Sequence, residues 1–349
     1  MKQYEIYMKK CFELAKLGEG AVSPNPLVGC VILNTKGVVI STGYHAKYAE
    51  NHAERDALLK LKNDEAKGCT LIVNLEPCSH YGKTPPCADL IIEKGIKKVV
   101  VAMRDVNPIV AGNGIKKLTN AGIEVIENVL QEDAKKLNEV FIKNMLEKKI
   151  FVALKTASTL DGKTATRTGS SKWITSEISR NEVKKIRNRY DAILTSSATV
   201  IADNPTMQHR IKIILDRNLI TDLNSKIYSQ GKIYIFHDEK LIPQNKHDNI
   251  TFVKAPVNEA GLDIEYILKK LYEFKIMSVL VESGGRLNGS FLRFADKVYH
   301  FIAPKILCDN SSKSCFDGKN ILEINDCMQF KFDEIKKFGS DILLTYYRI

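Results

Sequence analysis

Two stretches decide how this chain is organised: His52-Ala53-Glu54, and Leu75-Glu76-Pro77-Cys78-Ser79-His80-Tyr81-Gly82-Lys83-Thr84-Pro85-Pro86-Cys87. His52 opens the run 53–59, which reads as a helix with Ala57, Leu58 and Leu61 turned inward. Residues 70–75 are largely apolar and end at Glu76-Pro77-Cys78, so they read as a buried strand. Cys87 follows two prolines and opens another helix across 88–92. A strand running out between two helix N-termini is one step of an α/β layered sheet.

The chemistry follows from the residue types. One imidazole (His52) and two thiolates (Cys78, Cys87) can hold zinc in three positions and leave the fourth for water. Glu54 is spare. A carboxylate beside an acidified water can take its proton and later deliver one to departing ammonia. A His-x-Glu followed by Pro-Cys-x-x-Cys is the arrangement of hydrolytic zinc deaminases; here eight residues separate the cysteines instead of two. On the residues alone, buried thiols without metal, or a closed structural site using His80, stay open. Helix N-termini at His52 and Cys87 favour a thiolate over a thiol.

Working outward, 349 residues exceed one ordinary core and predict two domains. The 44% hydrophobic and 27% charged content is that of a globular chain. No apolar run approaches the ~20 residues of a membrane helix, and Met1-Lys2-Gln3-Tyr4-Glu5 has no apolar signal region, so the expected compartment is cytoplasmic. The 8 cysteines show no disulfide rhythm. A net charge of +11 would suit RNA or a phosphorylated substrate. The lysines are spread, however, and no aromatic-interleaved basic patch appears, so neither nucleic acid nor membrane is an expected partner.

Taken in order, residues 2–17 predict an amphipathic helix, 27–33 and 37–41 a hairpin, 97–102 a strand, 113–121 a helix and 122–126 a short strand. Residues 131–149 read as one polar helix near the domain boundary. A fresh strand at 150–155 opens the second half. A helix at 176–189, a strand at 191–195, an irregular loop at 199–205 and strands at 211–215, 232–236 and 250–253 follow. Then come a helix at 262–274, a strand at 278–281, a helix reaching Phe294, and strands at 298–303 and 342–347. The Gly284-Gly285 turn between strand and helix can offer backbone N–H groups to phosphate, but it is not the Gly-x-Gly-x-x-Gly fingerprint.

Together the motifs resemble the bifunctional riboflavin-biosynthesis deaminase–reductases. The stretch 75–87, Asn25-Pro26-Leu27-Val28-Gly29 and Ala102-Met103-Arg104-Asp105-Val106-Asn107-Pro108 carry the likeness in the first half. Thr159-Leu160-Asp161-Gly162, Ser171-Lys172-Trp173-Ile174-Thr175, Ala202-Asp203-Asn204-Pro205 and Val281-Glu282-Ser283-Gly284-Gly285 carry it in the second. The resemblance implies an α/β chain: a three-layer cytidine-deaminase-like domain over 1–147, and a dihydrofolate-reductase-like domain over 148–349. It implies zinc-dependent deamination of 2,5-diamino-6-(5-phosphoribosylamino)pyrimidin-4-one, then NADPH-dependent reduction of the ribosyl group to ribityl. The metal would sit on His52, Cys78 and Cys87, with Glu54 catalytic. NADPH would touch Ala157, Trp173, Thr199, Asp203, Ser225 and Gly284, Gly285, Arg286, Leu287, Asn288, Gly289 and Ser290. Substrate would touch Asn25, His45, Ser171, Arg187, Met207, Arg210 and Glu282. His80 and Lys83 would lean toward the phosphate, and Lys155 would assist protonation. A homo-oligomer is expected. Two departures stand out: Asn204 replaces a frequent aspartate, and residues 206–212 are short against the family's usual loop, which places Arg210 close to the strand at 211–215. A deaminase of another nucleotide or of tRNA, with a non-reductase second domain, is the alternative. The eight-residue spacing speaks against it, and the spare Glu54 speaks against a purely structural zinc.

Overall fold

The computed structural model describes residues 2–81, 85–107, 111–244, 247–318 and 321–349. The chain divides into two units, Met1–Lys148 and Lys149–Ile349.

In the first unit α1 (Lys2–Lys16) turns Tyr4, Met8, Cys11, Phe12 and Ala15 inward, the stripe of a helix laid on a sheet. β1 (Gly29–Leu33) is buried throughout, and β2 (Val39–Tyr44) returns antiparallel beside it. Then α2 (Ala53–Leu59), β3 (Thr70–Val73), α3 (Cys87–Glu93), β4 (Lys98–Val101), α4 (Asn113–Asn120) and β5 (Glu124–Ile126) alternate. The sheet runs β2-β1-β3-β4-β5, with β3, β4 and β5 parallel. Successive residues such as Val31 and Ile32, Leu71 and Ile72, or Val99 and Val100 are each 0% exposed. Neighbours on a strand point to opposite faces, so both faces are covered, which makes three layers.

The helix expected over 131–149 is two helices, α5 (Gln131–Leu137) and α6 (Glu139–Glu147), interrupted at Asn138. The break has a physical cause. The Asn138 side chain pairs with the Leu27 backbone: Leu27 N–H donates to Oδ1 (2.8 Å) and Nδ2 donates to the Leu27 carbonyl (3.0 Å). Asn74 Nδ2 reaches the same carbonyl (2.9 Å), and Gly29 N–H donates to Asn74 Oδ1 (2.7 Å). Two buried amides thus fix the strand entry that carries Asn25.

The second unit contains β6 (Phe151–Thr159), β7 (Lys163–Ala165), α7 (Glu177–Asn188), β8 (Ala192–Ser196), α8 (Ser197–Asp203), β9 (Ile211–Leu215), β10 (Lys232–Asp238) and β11 (Ile250–Ala255). It continues with the short pair β12 (Val257–Asn258) and β13 (Gly261–Leu262), then α9 (Ile264–Glu273), β14 (Ser278–Val281), α10 (Gly285–Phe291), β15 (Lys297–Ala303), β16 (Lys313–Ser314), β17 (Phe330–Phe338) and β18 (Asp341–Arg348). Nine strands form one sheet in the order β11-β10-β9-β8-β14-β6-β15-β18-β17. It is parallel from β11 to β15 and antiparallel at β18 and β17.

Besides the short strands β7, β12, β13 and β16, which are absent from the sequence reading, two longer elements of the second unit differ from it. The expected loop at 199–205 contains α8, started by Ser196, whose Oγ accepts the Thr199 N–H. Its β-branched Thr199, Val200 and Ile201 are poor helix formers, so an N-cap and packing decide it. β17 is an edge strand with no fully buried residue; its lysines and acids interrupt Phe330, Phe332, Ile335 and Phe338, leaving no continuous hydrophobic run to read.

Candidate functional site

In the first unit the carboxyl end of β3 leads into Cys78, while His52 stands immediately before α2 and Cys87 is the first residue of α3. His52 Nδ1 lies 3.6 Å from Cys78 Sγ and 3.5 Å from Cys87 Sγ, and the three donor atoms all fall within 4.8 Å of one another. Tetrahedral zinc with its usual bond lengths sets N and S donors about 3.6 Å apart. The donor chemistry and the spacing therefore fit zinc. Among the described residues this is the one His/Cys/Asp/Glu group compact enough for a metal.

Electrostatics prepare the donors. The Cys87 thiol beside it, and the His52 ring, hold the Cys78 thiol well below its ordinary range. The Cys87 backbone N–H also points at Cys78 Sγ (3.3 Å). Glu54 is 3% exposed. Burial, reinforced by the Cys78 sulfur, pushes its carboxyl up to about 7, the range of a group that can both take and return a proton.

A cavity of ≈ 310 Å³ opens onto this centre, and His52, Glu54, Asn25 and His45 line it. His45 Nδ1 faces the Asn51 carbonyl (2.9 Å), so it carries the proton, and Nε2 accepts from Asn25 Nδ2 (3.1 Å). Burial keeps this ring neutral by lowering its pKa. Asp105 and Asn107 also line the cavity, and Phe141 and Met145 add apolar surface. The sequence reading quoted 102–108 as a motif but gave Asp105 and Asn107 no role; burial pushes the Asp105 carboxyl up to about 6. Phe141 and Met145 looked like ordinary helix-face residues. His80 is exposed on the cavity rim; Lys83 and Pro108 lie outside the described residues.

In the second unit Glu282 follows β14 and is 6% exposed. Arg187 grips it with both arms, Nε to Oε1 at 2.5 Å and Nη2 to Oε2 at 3.0 Å, and Lys155 Nζ stands 3.3 Å away. Burial alone would raise this carboxyl; Lys155 and Arg187 outweigh it and hold it near about 2. At the neighbouring strand ends Thr199 Oγ1, Ser196 Oγ and Ser283 Oγ form a hydroxyl trio at 2.8, 3.1 and 3.2 Å. Ala157 lies on β6, and Asp203 ends α8. Ser225 caps a short helical turn at Lys226–Tyr228, and Ser171 is half-buried. Trp173 is exposed under the Arg180 guanidinium, 4.2 Å from its ring centre, and Lys305 Nζ donates to its carbonyl (2.8 Å).

The stretch 284–290 divides. Gly284 and Arg286 are exposed, while Leu287 and Ser290 are half-buried. Gly285 and Gly289 pack against 314–317: an added Cβ would stand 2.3 Å from the Ser314 carbonyl oxygen and 1.8 Å from that of Asp317. Asn288 is 1% exposed; its Nδ2 donates to the Ser283 and Cys315 carbonyls, while Oδ1 has no partner. An orphaned buried oxygen beside open backbone and a hydroxyl trio fits a polar dinucleotide better than a closed core.

Two expected substrate residues stand apart. Arg210 lies just before β9 and pairs with Asp191, just before β8 (3.2 Å). β8, β9 and β14 are parallel, so Arg210 sits at the opposite end of the sheet from Glu282. Met207 is buried with Ile193, Val200 and Ile214. With 206–212 short, Arg210 pairs at the start of β8 and Met207 packs into the core.

The deaminase model for the cytidine and deoxycytidylate deaminase zinc-binding region matches residues 1–103. The RibD C-terminal domain model matches 150–344. The riboflavin biosynthesis protein RibD of Actinobacillus pleuropneumoniae is 39% identical over 97% of this chain and 94% of its own length. That of Escherichia coli is 35% identical over 98% of each. The crystal structure of a Thermotoga maritima diaminohydroxyphosphoribosylaminopyrimidine deaminase/5-amino-6-(5-phosphoribosylamino)uracil reductase superposes with a TM-score of 0.89 at 40% identity, covering 99% of both chains. Acinetobacter baumannii RibD gives 0.87 at 33%, covering 100% and 99%. The fold is α/β, with a cytidine-deaminase-like first domain and a dihydrofolate-reductase-like RibD reductase domain second.

Proposed function

We infer the function from one premise: the chain belongs to the RibD family of riboflavin-biosynthesis proteins. It is a bifunctional enzyme. The first domain, over 1–147, hydrolyses the 2-amino group of 2,5-diamino-6-(5-phosphoribosylamino)pyrimidin-4-one. The second, over 148–349, reduces the ribosyl group of the product to ribityl with NADPH. The observation that carries this reading is the three-donor cluster with buried Glu54 at its side, on the floor of a cavity.

His52, Cys78 and Cys87 hold zinc, which when bound brings the pKa of a water toward ~7. Glu54 takes the proton from the attacking water and returns it to the departing amine, so ammonia leaves neutral. Asn25 and the neutral His45 orient the pyrimidine. In the second domain NADPH is the hydride source. Arg187, Glu282 and Lys155 hold the sugar; as its C1′–O bond breaks and the attached nitrogen gives up its proton to form C1′=N, Lys155 Nζ gives a proton to the ring oxygen, which becomes a hydroxyl. Ser171 completes the substrate contacts, while Ala157, Trp173, Thr199, Asp203, Ser225 and 284–290 bound the cofactor. Arg210 and Met207 act as scaffold here. Work in the cytoplasm, as a homo-oligomer, belongs to the same reading; none of the eight cysteines forms a disulfide, which suits a reducing compartment. Among the described residues no helix is long and apolar enough to cross a membrane.

The deaminase of tRNA or another nucleotide is not favoured, because the second unit matches a reductase domain. Incubating the chain with the diaminopyrimidinone and NADPH, with ammonia and NADPH followed separately, tests the proposal. Ammonia should appear first and NADPH oxidation should follow. Ammonia without NADPH oxidation would remove the reductase half.

A further inference from the structure

We propose that Glu76 is a positioning residue for the deamination: its buried carboxylate gathers the backbone that carries Asp105 and holds that side chain at the cavity. This rests on the deaminase reading above. Glu76 is 3% exposed and leaves β3 two residues before Cys78. Its Oε2 accepts the backbone N–H of Asp105 (3.1 Å) and of Gly112 (2.9 Å), and its Oε1 accepts that of Ile115 (3.1 Å). Its own N–H donates to the Met103 carbonyl (3.0 Å). One carboxylate therefore ties the segment after β4 and the first turn of α4 to the segment that delivers Cys78.

The docking is close as well as polar. A Cβ on Gly114 would stand 2.0 Å from the Pro77 carbonyl oxygen and 3.2 Å from Glu76 Cγ and Oε1. α4 thus rests directly on the loop between Glu76 and Cys78, with no room for a side chain. Asp105 is fixed twice: its N–H by Glu76, and its Oδ1 by the Asn107 N–H (2.8 Å). It lines the cavity with Glu54 and His52, where a carboxylate can accept from the N–H groups of an aminopyrimidine. A carboxylate that accepts three N–H groups is strongly charge-assisted. No side chain with donors of its own replaces it: a glutamine keeps one oxygen but turns an NH2 against at least one of the three N–H groups.

Glu76→Gln, Gly114→Ala, Asp105→Asn and the double variant Glu76→Gln/Asp105→Asn test this beside the wild-type chain. Glu76→Gln should raise the KM for ammonia release about tenfold while kcat stays within about threefold. Zinc per chain should be unchanged, and so should NADPH oxidation on the deaminated substrate, which reports the second unit. Gly114→Ala, whose added Cβ would press on the Pro77 carbonyl and on Glu76, should reproduce the KM effect with the carboxylate chemically unchanged. The double variant should be no worse than Asp105→Asn alone, because residues acting through one another are not additive. Hydrogen exchange at Asp105, Gly112 and Ile115 should quicken in Glu76→Gln. Unchanged KM and exchange, multiplicative losses in the double variant, or loss of zinc with kcat would each overturn the proposal, the last by making Glu76 a scaffold of the metal loop. A wild-type chain that keeps zinc yet releases no ammonia would instead remove the deaminase reading, and this inference with it.

Discussion

Glu54 and Glu282 are both almost fully buried, 3% and 6% exposed, yet their surroundings drive them in opposite directions. Glu54 is perturbed by the Cys78 sulfur and, among the described residues, by no lysine or arginine, so burial lifts it to about 7. Glu282 lies between Lys155 and Arg187, and two cations hold it near about 2. The same side chain is thus pushed toward neutrality in one unit and held toward its charged form in the other. The neighbours decide, as electrostatics requires.

The sharpest way to break this contrast is Glu54→Gln. Loss of a general acid–base group costs about 10²–10⁴ in rate, so ammonia release should fall by about a thousandfold or more. Zinc content and NADPH oxidation on the deaminated substrate should hold. A variant that keeps releasing ammonia would show Glu54 to be no proton carrier. Next in size is Cys87→Ala, which removes a metal donor. Zinc per chain should drop well below that of the wild type, and ammonia release with it, by metal analysis and assay together.

On the other side of the comparison stands Glu282→Gln. A carboxyl held down by folding contributes stability above its unfolded value of 4.5 and loses it as pH falls from there toward about 2. That loss is about 3 kcal/mol. Thermal unfolding across this window should show the second unit weakening in acid, and the variant should flatten that slope while leaving Arg187 and Lys155 without their anion. An unchanged slope would remove Glu282 as the source.

The smallest effect should come from Arg210→Ala. Its partner Asp191 is buried, but the guanidinium is half exposed, and such a pair contributes ~1 kcal/mol or less. The KM for reduction should stay within about twofold, whereas Arg187→Ala should raise it by about tenfold or more. Equal effects would restore Arg210 to the substrate.

How much of this was legible beforehand follows the same division. The metal donors and Glu54 lie in two short stretches, and helix starts and a strand end bring them together, so local pattern and chemistry suffice. The alternation of strands and helices was readable because its apolar runs are short and well bounded. The pairing of Glu282 with Lys155 and Arg187 joins three distant elements, and only the parallel sheet brings them together. Asn138 read as one more helix residue until its amide was seen on Leu27. β17 has apolar residues (Phe330, Phe332, Ile335, Phe338) but neither a continuous apolar run nor regular alternation, because its charged residues are what an edge strand needs. Arg210 can be placed only once the shortened segment 206–212 is seen to run straight into β9.

The central claim is that proton chemistry on zinc and hydride chemistry beside Glu282 occupy separate units of one chain. Chelating the metal and then following NADPH oxidation on both substrates tests it most directly. The account predicts no oxidation with the diaminopyrimidinone and undiminished oxidation with its deaminated product. Equal loss with both substrates, or ammonia release from the metal-free chain, would contradict it.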